Sequence, residues 1–293
     1  MTDTTLHCLA LRTVRHSDRR DILTAWSRER GRIAIAMPAG ASREARRRRA
    51  LSAPLALFEG EVMGDPSREI ASMRDFCVSP GSPALQPSPL RAMIAAFIAE
   101  VLDHALRRTE ADAPMSDYLF TGARILGAMP AQNLPMFAPV FLFGLLHFAG
   151  VAPDLDGYRR GAVFDLRDAR FRSSAPLHSD YLEGDACRAL MALSREHYYT
   201  LLYSGNATPH SDDTPPHSGI ALPDHNDTPG QHSARTESPG QHFTRTESLG
   251  RPFRPALAAR REILNRLIDY YNIHVCPLDT LKSLAVLQEM ANF

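Results

Sequence analysis

The sequence is poor in lysine and cysteine. Only one of its 33 basic residues, Lys282, is a lysine, and its four cysteines lie far apart at Cys8, Cys77, Cys187 and Cys276. Since no Cys-x-x-Cys pair occurs, zinc ribbons and thioredoxin-like motifs are excluded. Scattered cysteines, in a chain that begins without a charged-then-apolar leader, are typical of reduced core residues in a cytosol. We therefore expect a cytoplasmic protein without bound metal.

Catalytic signatures are also missing. The sequence contains no Gly-x-x-x-x-Gly-Lys loop, no Gly-x-Ser-x-Gly elbow and no His-Glu-x-x-His helix, which disfavours ATP hydrolysis, serine hydrolysis and zinc-dependent proteolysis. Asp165 and Asp168 are spaced as a conceivable carboxylate pair, but we interpret them as a turn or the end of a strand. The sequence thus predicts no catalytic residues and no cofactor.

One strongly apolar run, residues 134–151, approaches the length of a membrane span, which needs about 20 residues. Pro135 and Pro139 interrupt it, so we predict a buried core helix that ends at Gly150, and no membrane association.

Basic charge is concentrated near the N-terminus. Residues 1–80 hold 14 arginines and 10 acidic residues, whereas the remainder holds 19 basic and 23 acidic residues. Arginine presents a planar fork of donors that matches phosphate oxygens, so this bias indicates a polyanion-binding surface, although a solvated surface with arginine-biased codon usage would look the same. Trp26 and Phe58 could offer bases a stacking surface, but we favour barrel core for both. The candidate nucleic-acid-binding residues are Arg12, Arg15, Arg19, Arg20, Arg28, Arg30, Arg32, Arg43, Arg46, Arg47, Arg48 and Arg49.

The hydrophobic pattern predicts two domains, β followed by α. Five period-two segments within residues 1–78 suggest a small barrel, either an OB-fold or an SH3-like barrel. Residues 79–87 read as a Pro/Gly/Ser linker. A mostly helical domain over 88–293 then opens with Ser88 as N-cap and Pro89 at the first helical position. Its other predicted helices are 116–129, 136–148, 185–203, 255–271 and 279–290.

Residues 204–252 interrupt the helical domain with a different composition. Residues 229–238 are nearly repeated at 239–248, in a segment rich in Pro, Ser, Thr and His. With so little apolar surface to bury, such a segment is predicted to be a disordered insert. Its histidines have no metal-ligand spacing, so we do not interpret them as a metal site; they are His210, His217, His225, His232 and His242.

Several elements together resemble the RecO family of recombination mediators. At the N-terminus these are the strands at 10–15 and 22–27, the turn Glu29-Arg30-Gly31-Arg32 and the loop Pro38-Ala39-Gly40-Ala41, where the family commonly has a lysine in place of Ala39. Residues 164–171 resemble a family element that begins Phe-Asp-Leu. The C-terminal runs Tyr270-Tyr271-Asn272-Ile273-His274 and Leu281-Lys282-Ser283-Leu284-Ala285-Val286-Leu287 match most closely.

The resemblance implies an N-terminal OB-fold and a helical C-terminal domain. It also implies a nucleoid-associated, non-enzymatic mediator of DNA repair and homologous recombination. Such a protein binds single- and double-stranded DNA, anneals strands and helps to load recombinase onto DNA coated by single-strand-binding protein. The implied partners are RecR and the acidic C-terminal tail of the single-strand-binding protein. Some members carry a four-cysteine zinc element, and this chain resembles the Bacteroidetes-like form without it.

Two other functions stay open at this point. A protein–protein adaptor with incidental DNA binding would also need a basic groove, because such a groove can accept an acidic peptide. An unrecognised hydrolase is the third alternative, for which the sequence offers no constellation of residues.

The insert is expected to be dispensable. Deletion of residues 206–250 should leave thermal melting and DNA affinity close to those of the full chain, because its composition argues against packing. A loss of more than about 2 kcal/mol of stability, the scale of a structural element, would contradict this expectation.

Overall fold

The protein is represented by a computed structural model that describes residues 5–39, 51–63, 69–85, 88–107, 109–194 and 257–290. Three sequence-based predictions fall wholly or in large part outside these ranges. They concern the arginine cluster at 43–49, the insert 204–252 and the second half of the helix predicted over 185–203.

The N-terminal domain contains five strands: β1 Thr5–Arg15, β2 Arg20–Ser27, β3 Gly31–Pro38, β4 Leu57–Met63 and β5 Ile70–Val78. They form a closed barrel with strand order β1-β2-β3-β5-β4. Strand β1 is antiparallel to both β2 and β4, and β3 is parallel to β5, which closes the barrel. This is the OB-fold, so the prediction of an OB barrel is confirmed and the SH3-like alternative is wrong.

Alternating side chains fill the barrel interior, as the period-two pattern predicts. Leu23 and Ile35 face each other across β2 and β3, and Phe58 contributes the largest ring of this core. The other buried members are Leu6, Cys8, Ala10, Ala25, Met37, Ala56, Val62 and Met73.

The opposite side of the barrel packs into the helical domain. Trp26 is completely buried there, and its Nε1–H donates a hydrogen bond to Ser116 Oγ at 3.0 Å. The prediction that Trp26 fills the barrel core is therefore wrong: β2 directs its side chain outward, into a core that both domains share. From the barrel this shared core receives Leu9, Leu11, Trp26, Leu55 and Leu57.

The barrel backbone closely contacts both the helical domain and the linker that precedes it. Gly31 has φ +70°, and a Cβ at this position would lie 3.0 Å from the backbone nitrogen of Ala111. In the described part of the predicted linker, residues 79–85, Ser82 Oγ accepts a hydrogen bond from Leu57 N at 3.0 Å. This segment is thus packed against the barrel.

The helical domain contains six described helices: α1 Pro89–Ala105, α2 Ala113–Ala128, α3 Leu134–Phe148, α4 Asp185–Leu193, α5 Leu257–His274 and α6 Ser283–Glu289. Helix α1 begins as predicted, because Ser88 Oγ accepts from Arg91 N at 3.4 Å and Pro89 needs no partner for its nitrogen.

Helix α3 is the buried core helix that the apolar run predicts. All but three of its residues are buried, and Gly150 ends it with φ +71°. Gly150 N donates to His147 O and Val151 N donates to Leu146 O, the two bonds of a Schellman motif. Among the described residues, no helix is both long and apolar enough to cross a membrane.

A small antiparallel sheet between α3 and α4 was not predicted. Its strands are β6 Val163–Asp165, β7 Arg170–Arg172 and β8 Tyr181–Leu182, in the order β7-β6-β8. Two- and three-residue strands are too short to show a period in the sequence. Asp165 ends β6 and accepts bonds from Arg167 N at 3.0 Å and Asp168 N at 3.2 Å, so its interpretation as a strand end is confirmed.

The Tyr270-Tyr271 motif fixes α5 to its neighbours. The hydroxyl of Tyr271 donates to Leu142 O and that of Tyr270 to Val151 O, both at 2.8 Å. Burial raises the pKa of Tyr270 to about 12 and that of Tyr271 well above its ordinary value, so both phenols stay protonated donors. His274 Nε2–H donates to Leu166 O at 2.6 Å and reaches the small sheet. The family-like motif is therefore structural.

Helix α6 begins at Ser283, four residues later than predicted, because the Glu100 carboxylate of α1 binds its first turn. That carboxylate accepts from Lys282 N at 3.0 Å, Ser283 N at 2.9 Å and the Ser283 hydroxyl. Partial burial raises the pKa of Glu100, but these bonds outweigh it and hold the pKa below its ordinary value. On α6 itself, Leu287 is fully buried and Leu284 only partly.

Leu287, more than Leu284, should anchor α6. We expect Leu287→Ala to lower the free energy of unfolding by about 2–5 kcal/mol, because it leaves a cavity in the shared core. Val286→Ala is the matched control: Val286 is 48% exposed, so its truncation should cost at most about 0.5 kcal/mol. Equal urea midpoints for the two variants would mean that α6 does not close the core.

Candidate nucleic-acid interface

The described candidate arginines form two groups along the barrel. Arg15, Arg19 and Arg20 surround the tip of the β1–β2 hairpin, whereas Arg12, Arg28, Arg30 and Arg32 lie toward the helical domain. On β2 and β3, the pair Arg20↔Pro38 lies at the tip and the pair Trp26↔Arg32 lies beside the helical domain, six residues of β2 further along. Six residues of strand correspond to roughly 20 Å.

Asp103 of α1 draws Arg12 and Arg32 against the helical domain. Its side chain is 3% exposed; Oδ1 lies 2.6 Å from Arg32 Nη1 and Oδ2 lies 3.5 Å from Arg12 Nε. Arg28 forms an ion pair with Asp117 of α2. These three arginines therefore hold the domains together, and acidic partners compensate much of their charge.

The hairpin tip has a different character. The side chains of Arg15, Arg19 and Arg20 are exposed, and Ser17 Oγ orders the turn by accepting from Arg19 N at 3.4 Å and Arg20 N at 3.1 Å. Arg15 pairs only locally, with Asp18 at 3.1 Å, and Asp18 is almost fully exposed. A pair so open to solvent restrains an arginine little.

Strand β3, which precedes the arginine cluster in the sequence, ends beside this tip. Ala39 N, just after β3, donates to Arg19 O at 3.0 Å. Segment 40–50, which carries Arg43, Arg46, Arg47, Arg48 and Arg49, follows directly. The fold thus brings the hairpin arginines next to the point where the sequence cluster begins.

A partly exposed sheet face connects the two arginine groups. Val14, Ile22 and Ala36 are aligned across β1, β2 and β3, and Ala34 of the next row pairs with Ile70 of β5. Val14 is 45% exposed and Ile70 is 39% exposed. In the OB-fold, this β2–β3 face and the adjoining β1–β2 loop are where oligonucleotides bind. We call it the strand face.

Sequence reasoning did not find Asp103, Asp117 or Ser116, the helical residues that position the barrel. Asp103 is 71 positions from Arg32, and nothing in its local sequence distinguishes it from a surface acid of α1. Within the described ranges, no three His, Cys, Asp or Glu side chains are grouped so that they could hold a metal ion. The four cysteines are free thiols.

A closed OB barrel that shares its core with a helical domain defines a two-domain protein of the OB-plus-helical class. The family described as "Recombination protein O C terminal" matches residues 86–207. Over these residues the chain is similar to the RecO family of DNA repair proteins.

Relatives named DNA repair protein RecO extend this match to the barrel. The chain is 26% identical over 288 residues to the protein of Porphyromonas gingivalis strain W83, covering 96% of each chain. It is 29% identical over 202 residues to that of Bacteroides fragilis, covering 68% of this chain and 83% of the relative. The relative from Phocaeicola vulgatus is 28% identical over 193 residues, covering 66% and 80%.

The buried carboxylate of Asp103 is expected to be more important for stability than the exposed one of Asp117. Asp103→Asn should lower the unfolding free energy by about 3 kcal/mol, since it leaves Arg32 beside α1 without its charged partner. Asp117→Asn, which removes the exposed partner of Arg28, should cost only about 0–1 kcal/mol. Chemical unfolding of both variants tests the difference, and a loss below 1 kcal/mol for Asp103→Asn would contradict it.

Proposed function

We propose that this protein is a DNA-binding mediator of repair and homologous recombination that captures the DNA backbone with the arginine-rich end of its barrel. One observation carries the proposal. The exposed arginines of the β1–β2 tip lie beside the start of the arginine cluster, at one end of the strand face. Similarity to proteins named DNA repair protein RecO points to DNA as the polyanion.

Single- and double-stranded DNA are both proposed ligands, because guanidinium groups contact phosphate oxygens irrespective of sequence. Arg15, Arg19 and Arg20 would act with Arg43, Arg46, Arg47, Arg48 and Arg49. We assign Arg12, Arg28 and Arg32 a weaker role than the sequence suggests, since each already binds a carboxylate of the helical domain. Arg30 lies in the turn between β2 and β3, at the far end of the strand face from the tip.

Strand annealing follows from the same charges. Two single strands repel each other through their phosphates, and arginines bound to one strand reduce that repulsion for the second. No catalytic group is needed, which fits a non-enzymatic mediator.

The proposed partners are RecR and the acidic tail of single-strand-binding protein, on DNA where recombinase is to be loaded in the cytoplasm. Similarity to proteins named DNA repair protein RecO supports this assignment, and the exposed arginine tip offers an acidic peptide the same charge complementarity that it offers DNA. Competition between a synthetic acidic tail peptide and labelled DNA tests it. Peptide binding without any DNA binding would favour the adaptor function instead.

Replacement of Arg46, Arg47, Arg48 and Arg49 by alanine should weaken binding to all DNA sequences alike. Each phosphate contact on single-stranded DNA contributes a slope of about −0.7 in log K against log salt, so loss of two to four contacts should flatten the slope by roughly 1–3. Electrophoretic shift or anisotropy at several salt concentrations measures both quantities.

The hairpin tip permits a better-matched comparison. Arg19→Ala/Arg20→Ala should flatten the slope by about 0.7–1.4. Arg159→Ala/Arg160→Ala removes two equally exposed charges from the helical domain and should leave the slope unchanged. If the tip and control variants behave alike, the DNA surface is not at this end of the barrel.

A further inference from the structure

We infer that the barrel holds DNA by its phosphates alone and leaves the bases unstacked on protein, facing solvent and free to pair. This inference rests on the proposed function and specifies how the same surface binds. It is based on where the aromatic side chains of the barrel lie.

Residues 1–80 contain three Phe, Tyr or Trp residues: Trp26, Phe58 and Phe76. The count comes from the sequence, so it includes the segments at 40–50 and 64–68. Proteins that bind single strands usually combine a basic groove with aromatic rings on which the bases stack. Whether these three rings are accessible therefore determines whether this barrel can bind in that way.

Each of the three rings is used internally. Trp26 has no exposed surface and binds Ser116 at the domain interface. Phe58 lies in the barrel core, and Phe76 packs against that core with its ring centroid 5.9 Å from that of Phe58. A base on the strand face would therefore find no aromatic ring.

The strand face itself is aliphatic and small. Its aliphatic members are Val14 and Ile70, which are exposed, and Ile22, Ala34 and Ala36, which are partly buried; none of these side chains can stack on a base. Charges lie at the two ends of this face, with the arginine tip at one end and the Asp103-bound arginines at the other. Such a surface can attract the phosphates, but its described residues offer the bases no aromatic ring.

Imidazole rings do not change this assignment. His7 is bound to Glu29, with Nδ1 and Oε1 2.7 Å apart, on the flank of the barrel that β1 shares with β4. His16 lies in the β1–β2 turn and is exposed, so it is the one ring of the described barrel residues near the arginine tip. Its replacement therefore tests whether bases stack on this ring.

Base-independent binding has a functional consequence. A strand held by its phosphates presents its Watson–Crick edges to solvent, so a complementary strand can pair without first displacing bases from the protein. The same contacts would hold a duplex equally well, since they do not require unpaired bases. Annealing and binding of both DNA forms then follow from one surface.

The test compares an oligothymidylate with an abasic oligomer that has the same number of phosphates, using the full chain and fluorescence anisotropy. We expect dissociation constants within about twofold and equal salt slopes, because the phosphate contacts are identical. One stacked base is worth on the order of tenfold in affinity, so abasic binding weaker by tenfold or more would overturn the inference.

Two variants complete the design. His16→Ala should change the affinity for neither oligomer, and a selective loss of oligothymidylate binding would show that bases stack there. Val14→Trp places an indole on the strand face and should create a preference for oligothymidylate. No preference in that variant would mean that DNA does not lie across this face, and the inference would fail.

The outcomes separate the inference from the function on which it rests. If the wild type binds oligothymidylate but not the abasic oligomer, the function stands and base-independent binding is wrong. If it binds neither, the proposed function itself fails, and the inference fails with it.

Discussion

The burial of one side of the OB barrel in the helical domain is the constraint on which the rest of the structure depends. Trp26, Leu9 and Leu57 project outward from their strands into a core that they share with α1, α2 and α3. Burial of apolar surface on this scale is the dominant favourable term in folding, and it cannot be given up for ligand binding. One side of the barrel is therefore covered by the helical domain, whereas the strand face toward the hairpin tip is partly exposed.

That constraint also divides the arginines by role. Arg12 and Arg32 lie where the barrel meets α1, and the buried Asp103 carboxylate would be unstable there without them. Arg15, Arg19 and Arg20 lie where no helix of the described residues covers the barrel, and their side chains are exposed. These arginines lie within one short part of the sequence, yet they have two different environments because the domain interface crosses the barrel between them.

Helix α6 returns to the same interface from the other end of the chain. The Glu100 carboxylate binds the first turn of α6 one helical turn from Asp103, so both acids of α1 organise distant segments. Leu287 then enters the core that Trp26 occupies. The two ends of the described chain are in this way attached to one helix, which explains why the C-terminal Leu-Lys-Ser-Leu motif matters to a domain that begins near residue 88.

The sequence by itself determined the elements whose signal is local: the alternating strands, the Ser88-Pro89 helix start, the buried apolar helix with its Gly150 end, and the concentration of arginine near the N-terminus. It could not reveal the small sheet at 163–182, whose strands are shorter than any readable period, or the later start of α6, which depends on Glu100 183 residues away. Only the tertiary structure decided that the Trp26 side chain points into the shared core and that Asp103 forms ion pairs with Arg12 and Arg32. Side-chain direction relative to a second domain, and charge pairing across that interface, depend on contacts between residues far apart in the chain, which no local pattern records.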